Sequence, residues 1–155
     1  VCLSPSSTMH LVVDVAGYVP PASPFVSAEP YRLLDTRPNG STVDDDEVGA
    51  GVMTPGQVKS VTAVGRSFTT AGPAVARTVV LTLTAVAPTG TGYLSVYPCP
   101  FIGSGAAPAA SNLNVTAGVN SAATVMVELG GLDSVCIYSS VTTHVLLDID
   151  GWYAY

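Results

Sequence analysis

The three cysteines carry the most specific chemistry in this sequence, because two thiols can join as a disulfide. Cys99 ends one predicted strand, Cys136 begins another, and Cys2 lies at the position equivalent to Cys136 in a repeated segment described below. A Cys99–Cys136 bond would close a loop of roughly 38 residues and contribute about 4 kcal/mol. The alternative bond joins Cys2 to Cys99 and leaves Cys136 over. Either bond leaves one odd cysteine, which favours an intermolecular link or a free thiol.

Four consecutive acidic residues, Asp44, Asp45, Asp46 and Glu47, form the one dense cluster of oxygen ligands. Calcium prefers carboxylate oxygens, although the spacing of an EF-hand loop is absent. We therefore treat residues 44–47 as a candidate calcium site, with a solvated loop as the alternative interpretation. No other cofactor is predicted, because no C-x-x-C pair, phosphate loop or dinucleotide fingerprint occurs.

Two His/Asp pairs recur in the chain: His10 with Asp14, and His144 with Asp148. On a strand this spacing separates the side chains by about 13 Å, whereas a catalytic hydrogen bond needs about 3 Å. We interpret these pairs as structural, for example in cross-strand hydrogen bonds. No hydrolase motif occurs either, so we predict that the chain is not an enzyme.

The segment "RLLDTR" holds two of the five basic residues of the chain. Asp35 and Arg37 share one face of the predicted strand, and Arg32 lies on the other face. We expect a charge-assisted pair that holds the strand against the adjacent loop. Contact with an anion or a sugar is the alternative.

Tyr93 and Tyr97 share a face of the predicted strand "GYLSVYP". Exposed tyrosines on one face can stack on sugar rings. Cross-strand pairs and interface anchors are the alternative use of such residues. The two residues are the candidates for sugar contact.

The composition favours short strands joined by turns. Of 155 residues, 48% are hydrophobic and 10% charged, with 15 Gly and 12 Pro. Lys and Arg total 5 and the net charge is −6, so a nucleic-acid partner is not expected. No apolar run reaches the roughly 18 residues that a membrane helix needs. Three cysteines and weak charge suit an extracellular or cell-surface protein.

The two ends of the chain repeat one another. "VCLSPSSTMHLVVDVAGYV" (residues 1–19) aligns without a gap with "VCIYSSVTTHVLLDIDGWY" (residues 135–153). Seven positions are identical: Val1/Val135, Cys2/Cys136, Ser6/Ser140, Thr8/Thr142, His10/His144, Asp14/Asp148 and Gly17/Gly151. Both segments are predicted to be β-hairpins. A third hairpin is predicted from "TVVLTLTAV" (78–86) and "GYLSVYP" (92–98), which a Pro/Gly loop joins. The residues assigned to assembly are Cys2, Leu11, Val13, Val15, Val145, Leu147, Ile149 and Trp152.

A weaker repeat lies between these ends. Each half has the order hairpin, loop, a strand around Leu34 or Leu113, and a strand ending at Gly65 or Gly130. The predicted fold is therefore all-β: a sandwich or flattened barrel of two pseudo-equivalent four-stranded halves, plus one extra terminal hairpin. Residues 20–155 form a single β domain in this interpretation. Residues 1–19 are either the end of a preceding repeat or a donated element.

Several motifs together resemble a known family. "RLLDTR", "GYLSVYPC", "ASNLNV", "VCIYSS" and "DVAGY"/"DIDGW" resemble a tandem β-rich repeat of secreted and cell-wall proteins of actinobacteria and relatives. The resemblance implies an extracellular β-rich module with no established catalytic residues. It names no ligand.

The surplus hairpin leads to a functional expectation. A hairpin that does not complete its own domain leaves strand edges available to another chain or repeat. We expect a structural module that binds itself head to tail, in a fibre or tandem array. The alternative is a lectin-like or cell-wall-anchoring module that binds surface polysaccharide.

Overall fold

The computed structural model describes residue 8 and residues 24–66, 76–100 and 106–154. Eight strands lie in these ranges: β1 (Phe25–Asp35), β2 (Val58–Thr62), β3 (Ala76–Val86), β4 (Gly92–Pro98), β5 (Leu113–Val115), β6 (Ser121–Glu128), β7 (Ser134–Ser139) and β8 (His144–Ala154). One 3-10 turn, Gly131–Asp133, precedes β7. Among the described residues, no helix is long and apolar enough to cross a membrane. Apart from Thr8, the hairpin predicted over residues 1–19 lies outside the described residues.

The strands form two four-stranded antiparallel sheets. The first sheet has the order β1-β8-β3-β6 and the second has the order β2-β7-β4-β5. Burial alternates along β3 from Thr78 onward, where Val79, Leu81 and Leu83 face inward and are fully buried. Each such side chain contributes about 1.5–3 kcal/mol by leaving water. The predicted all-β sandwich of two four-stranded halves is confirmed.

The connections within the predicted hairpins differ from expectation. Residues 78–98 and 135–153 are not hairpins, because β3 and β4 lie in different sheets, as do β7 and β8. Each pair is instead a β-arch, a chain segment that leaves one sheet and enters the other. The apolar sides of β3 and β4 face each other across the core, where Leu83 and Leu94 are both fully buried. Alternating burial and a short turn suit an arch as well as a hairpin, so the sequence pattern did not separate them.

The two arches reveal a pseudo-twofold relation that exchanges the sheets. One half consists of the β7–β8 arch followed by β1 and β2, and the other of the β3–β4 arch followed by β5 and β6. Under this exchange the order β1-β8-β3-β6 becomes β5-β4-β7-β2, which is the second sheet read in reverse. We call residues 134–154 the C-terminal arch. This arch belongs to the half that contains β1 and β2, although it comes last in the chain.

The C-terminal arch is central in both sheets. β8 lies between β1 and β3, and β7 lies between β2 and β4. We call the space that the arch occupies, bounded by these four neighbouring strands, the central slot. Ten residue pairs join β8 to β3 from Ala76↔Ala154 to Val86↔His144. The arch is therefore hydrogen-bonded to strands that are distant from it in the sequence.

Candidate functional site

An ion pair between Arg32 and Asp148 is the first contact that holds the arch in the central slot. Arg32 on β1 donates from Nε to Asp148 Oδ1 at 2.8 Å and from Nη2 to Oδ2 at 3.2 Å. Both side chains are partly buried, at 32% and 18% exposure. A bidentate pair of this kind fixes the register of two strands as well as adding energy. The hydrogen bond with Asp148 raises the pKa of Arg32.

Arg32 is itself held by a buried carboxylate. Asp35 is fully buried and accepts bonds from Arg37 Nε at 2.9 Å and Nη2 at 2.7 Å, as predicted. Arg32 Nη1 also lies 3.4 Å from Asp35, because a register shift between Arg32 and Leu34 changes which face Arg32 occupies. The predicted separation of Arg32 from Asp35 is therefore wrong. Hydrogen bonds from Arg37 lower the pKa of Asp35 to about 2.

His144 makes the second polar contact between the arch and β1. Its Nδ1 lies 3.2 Å from Thr36 Oγ1 and 3.2 Å from Thr36 O. The backbone N–H of Val145 donates to the same Thr36 hydroxyl at 2.8 Å. His144 and Asp148 thus each contact the β1 segment, and the predicted cross-strand role of this pair is confirmed.

A disulfide closes the other side of the slot. Cys99 directly follows β4 and bonds Cys136 on β7, with a Cα–Cα distance of 4.9 Å. The Cys99–Cys136 alternative is therefore the one that this structure contains. Cys2 lies outside the described residues, so its pairing stays a prediction.

The remaining identical positions of the repeat also contact the slot. Ser140 Oγ accepts a bond from Tyr93 N at 2.8 Å, and Thr142 O accepts one from Thr89 N at 2.9 Å. A Cβ at Gly151 would lie 2.6 Å from the Phe25 ring, so only glycine lets β1 approach there. Val135 is fully buried in the core.

Of the seven residues that residues 1–19 share with the C-terminal arch, Cys136, Ser140, His144 and Asp148 bind through their side chains and Gly151 allows the close approach of β1. Val135 is buried in the core, and Thr142 contributes its backbone carbonyl. Sequence reasoning found the identities but predicted a contact only for the cysteines and the His/Asp pairs. The signal was present in the alignment, because these seven positions are identical whereas the other twelve differ.

The apolar assembly residues of the arch serve the domain's own core. Val145, Leu147 and Ile149 are fully buried, and Trp152 is nearly so. In this structure the C-terminal arch therefore completes its own sandwich. The corresponding Leu11, Val13 and Val15 lie outside the described residues.

Basic side chains occupy part of the candidate calcium site. Asp44 forms an ion pair with the buried guanidinium of Arg66, and hydrogen bonds from Arg66 lower the pKa of Asp44. Glu47 Oε2 lies 2.5 Å from Lys59 Nζ. Asp45 and Asp46 complete the loop, in which Asp46 Oδ1 accepts a bond from Glu47 N at 3.0 Å. Within the described ranges, no group of three or more His, Cys, Asp or Glu side chains converges as metal ligands.

An aromatic pair lies on the outer face of the second sheet. The ring centroids of Tyr93 and Tyr138 are 5.8 Å apart. Tyr138 is opposite Ser95 in the register of β4 and β7, between the positions of Tyr93 and Tyr97. A cavity of about 250 Å³ beside Tyr93 is lined by Ala109, Ala110 and Ser111. Sequence reasoning missed Tyr138, because its proximity to Tyr93 depends on which strands are neighbours.

Tyr97 has a different environment. It lies opposite Cys136 in the strand register, and burial raises its pKa. For Tyr138 the pKa is also raised, first by desolvation and then by Tyr93. Tyr97 is half-buried, as are Tyr93 and Tyr138, and its contact with a sugar stays a prediction.

Comparisons with known proteins found no relative: the chain matches no protein-family model, no curated protein and no solved structure. The resemblance to a secreted actinobacterial repeat therefore stays a prediction.

Proposed function

We propose that this chain is an extracellular structural module that assembles end to end, in a fibre or a tandem array. The carrying observation is that the segment filling the central slot has a close repeat in residues 1–19 of the same chain. The C-terminal arch fills the slot here, and residues 1–19 are identical to it at seven positions. The Cys99–Cys136 disulfide supports an oxidising compartment.

The presence of two fitting segments and one slot in each chain favours association between chains. A chain with one slot and two fitting segments always has one segment left over. That segment carries apolar side chains and backbone groups that need partners. A left-over segment that binds another part of the next unit makes a heterologous, head-to-tail contact. Repeated contacts of this kind build an open array, unless the rotation from one unit to the next closes a ring.

Sedimentation of the full chain over a micromolar-to-millimolar range tests this proposal. We expect the mean mass to rise with concentration. The matched variant Gly17→Val with Asp14→Ala should remain monomeric, because it removes two contact residues from residues 1–19 and leaves the sandwich unchanged. A wild-type chain that stays monomeric throughout the range would overturn the proposal.

Carbohydrate binding is the second candidate, favoured by the Tyr93–Tyr138 pair. Tyrosine rings on an outer sheet face can stack on sugars, and Asn114 lies opposite Tyr93 in the register and offers an amide beside the ring. Binding on a glycan array should be lost in Tyr93→Ala and in Tyr138→Ala. Loss of binding in Tyr97→Ala, on the same strand, would also favour this candidate. An array without any bound glycan would remove this candidate.

A further inference from the structure

We infer that residues 1–19 are an alternative occupant of the central slot and reach it within their own chain, through a loop formed by residues 20–24. The sandwich then has two closed forms, one completed by its C-terminal arch and one by its N-terminal segment. The inference concerns contacts within one chain and rests on the proposed assembly for its biological use, because the segment left out of the slot is the one that can bind the next unit.

The slot walls hold the partners that residues 1–19 require. Arg32, Thr36 and Cys99 all lie outside the arch, and they bind Asp148, His144 and Cys136. The equivalent side chains of residues 1–19 are Asp14, His10 and Cys2, in the same spacing. An incoming segment in the same register thus finds a cation for its carboxylate, a hydroxyl for its imidazole and a sulfur for its thiol.

The register also shows that the segment can reach the slot. Phe25 at the start of β1 pairs with Tyr153, whose equivalent in the repeat is Val19. With Val19 in the place of Tyr153, only residues 20–24 remain to connect it to Phe25. Five residues are within the range of β-hairpin loops, and the sequence "PPASP" is rich in turn-forming residues. No other strand has to change direction, because β1 and the strand beside it are antiparallel.

Core packing decides which occupant is preferred. Leu147 and Ile149 are fully buried, whereas their equivalents are the smaller Val13 and Val15. Thr143 is also fully buried, with its hydroxyl 3.1 Å from Val86 O, and its equivalent is the larger Met9. Val145 is fully buried as well, and its equivalent is the larger Leu11. Residues 1–19 would therefore leave voids at positions 147 and 149 and crowd positions 143 and 145. The preference for the C-terminal arch agrees with the occupant of this structure.

The exchange has a covalent counterpart. The Cys2 thiolate attacks Cys99 Sγ, the Cys99–Cys136 bond breaks, and Cys136 leaves as a thiolate that takes up a proton. One disulfide is lost and one is formed, so no oxidant is required. A Cys2–Cys99 bond therefore records occupation of the slot by residues 1–19.

Disulfide mapping of the full-length Cys136→Ser chain tests the inference. The chain is refolded with oxidised glutathione, which accepts the two electrons, and its peptides are mapped by mass spectrometry. We expect Cys2–Cys99 as the main bond, formed within single chains in a mixture of isotope-labelled and unlabelled protein. Adding Asp14→Ala should lower its yield about tenfold, because Arg32 loses its partner. Free Cys2 and Cys99 in a folded Cys136→Ser chain would overturn the inference.

A second measurement covers the case in which Cys136→Ser does not fold. The chain with all three cysteines is equilibrated in a glutathione redox buffer, and the ratio of Cys2–Cys99 to Cys99–Cys136 is measured. Asp148→Ala should raise this ratio and Asp14→Ala should lower it, whereas an unchanged ratio in both variants would overturn the inference. Association that persists without any Cys2–Cys99 bond would leave the proposed assembly standing and refute only this contact.

Discussion

The preference of the slot for the C-terminal arch can be measured by making the arch resemble residues 1–19. We consider the double variant Leu147→Val with Ile149→Val, which introduces the side chains of Val13 and Val15. Leu147 and Ile149 are both fully buried on the inner face of β8. Each substitution removes one methylene, at a cost of about 1 kcal/mol from lost burial and the void that remains.

The two sites share one core, so their effects add imperfectly, and we expect a total loss of about 2 kcal/mol. This corresponds to a roughly 30-fold change in the ratio of folded to unfolded protein. Urea unfolding followed by the fluorescence of Trp152, the one tryptophan of the chain, measures the change, since this side chain is nearly buried in the core.

A matched control shortens an exposed aliphatic side chain instead of a buried one. Val119 is 53% exposed, and Val119→Ala should change the free energy of unfolding by no more than about 0.5 kcal/mol. A loss below about 0.5 kcal/mol in the double variant would refute the argument that core packing ranks the two occupants.

Three further predictions concern charge and covalent links. The pKa of Asp35 is lowered to about 2 in the folded chain, so its carboxylate stabilises the fold by about 2 kcal/mol above pH ~4. Unfolding measured over a pH series should show this contribution fall away between pH ~4 and pH ~2, and Asp35→Asn should abolish that dependence. Burial raises the pKa of Asp150, so its stabilisation belongs to low pH and is lost as the pH rises. Asp150→Asn should therefore stabilise the chain at neutral pH, by up to about 0.5 kcal/mol in urea unfolding, and a loss of stability would contradict the sign. Reducing Cys99–Cys136 should cost about 4 kcal/mol, as measured by unfolding with and without reductant, and an unchanged midpoint would contradict the loop argument.

The class of the fold could be predicted because it depends on local patterns. Along residues 78–86, inward apolar residues alternate with Thr and other outward residues, and the structure buries them with the same period of two. Side chains of a strand point alternately to opposite faces, so this period is visible without knowledge of any neighbour. The Asp35–Arg37 pair was also accessible, since its members are two residues apart.

The contacts of Arg32 and Tyr138 were not accessible in the same way. Arg32 reaches Asp35 because of a register shift in β1, and Tyr138 reaches Tyr93 because β7 lies beside β4. Neither the shift nor the neighbour is encoded in a short stretch of sequence, because both result from pairing between distant segments.

The sequence by itself determined the strands, the two pseudo-equivalent halves and the identity between the two ends. The tertiary structure decided that the predicted hairpins are arches, that Cys99 bonds Cys136, and that the C-terminal arch fills the central slot. The reason is physical: period and identity are properties of the chain alone. The choice between two nearly equal segments depends on a few buried methylenes, which count only when the opposing sheet packs against them.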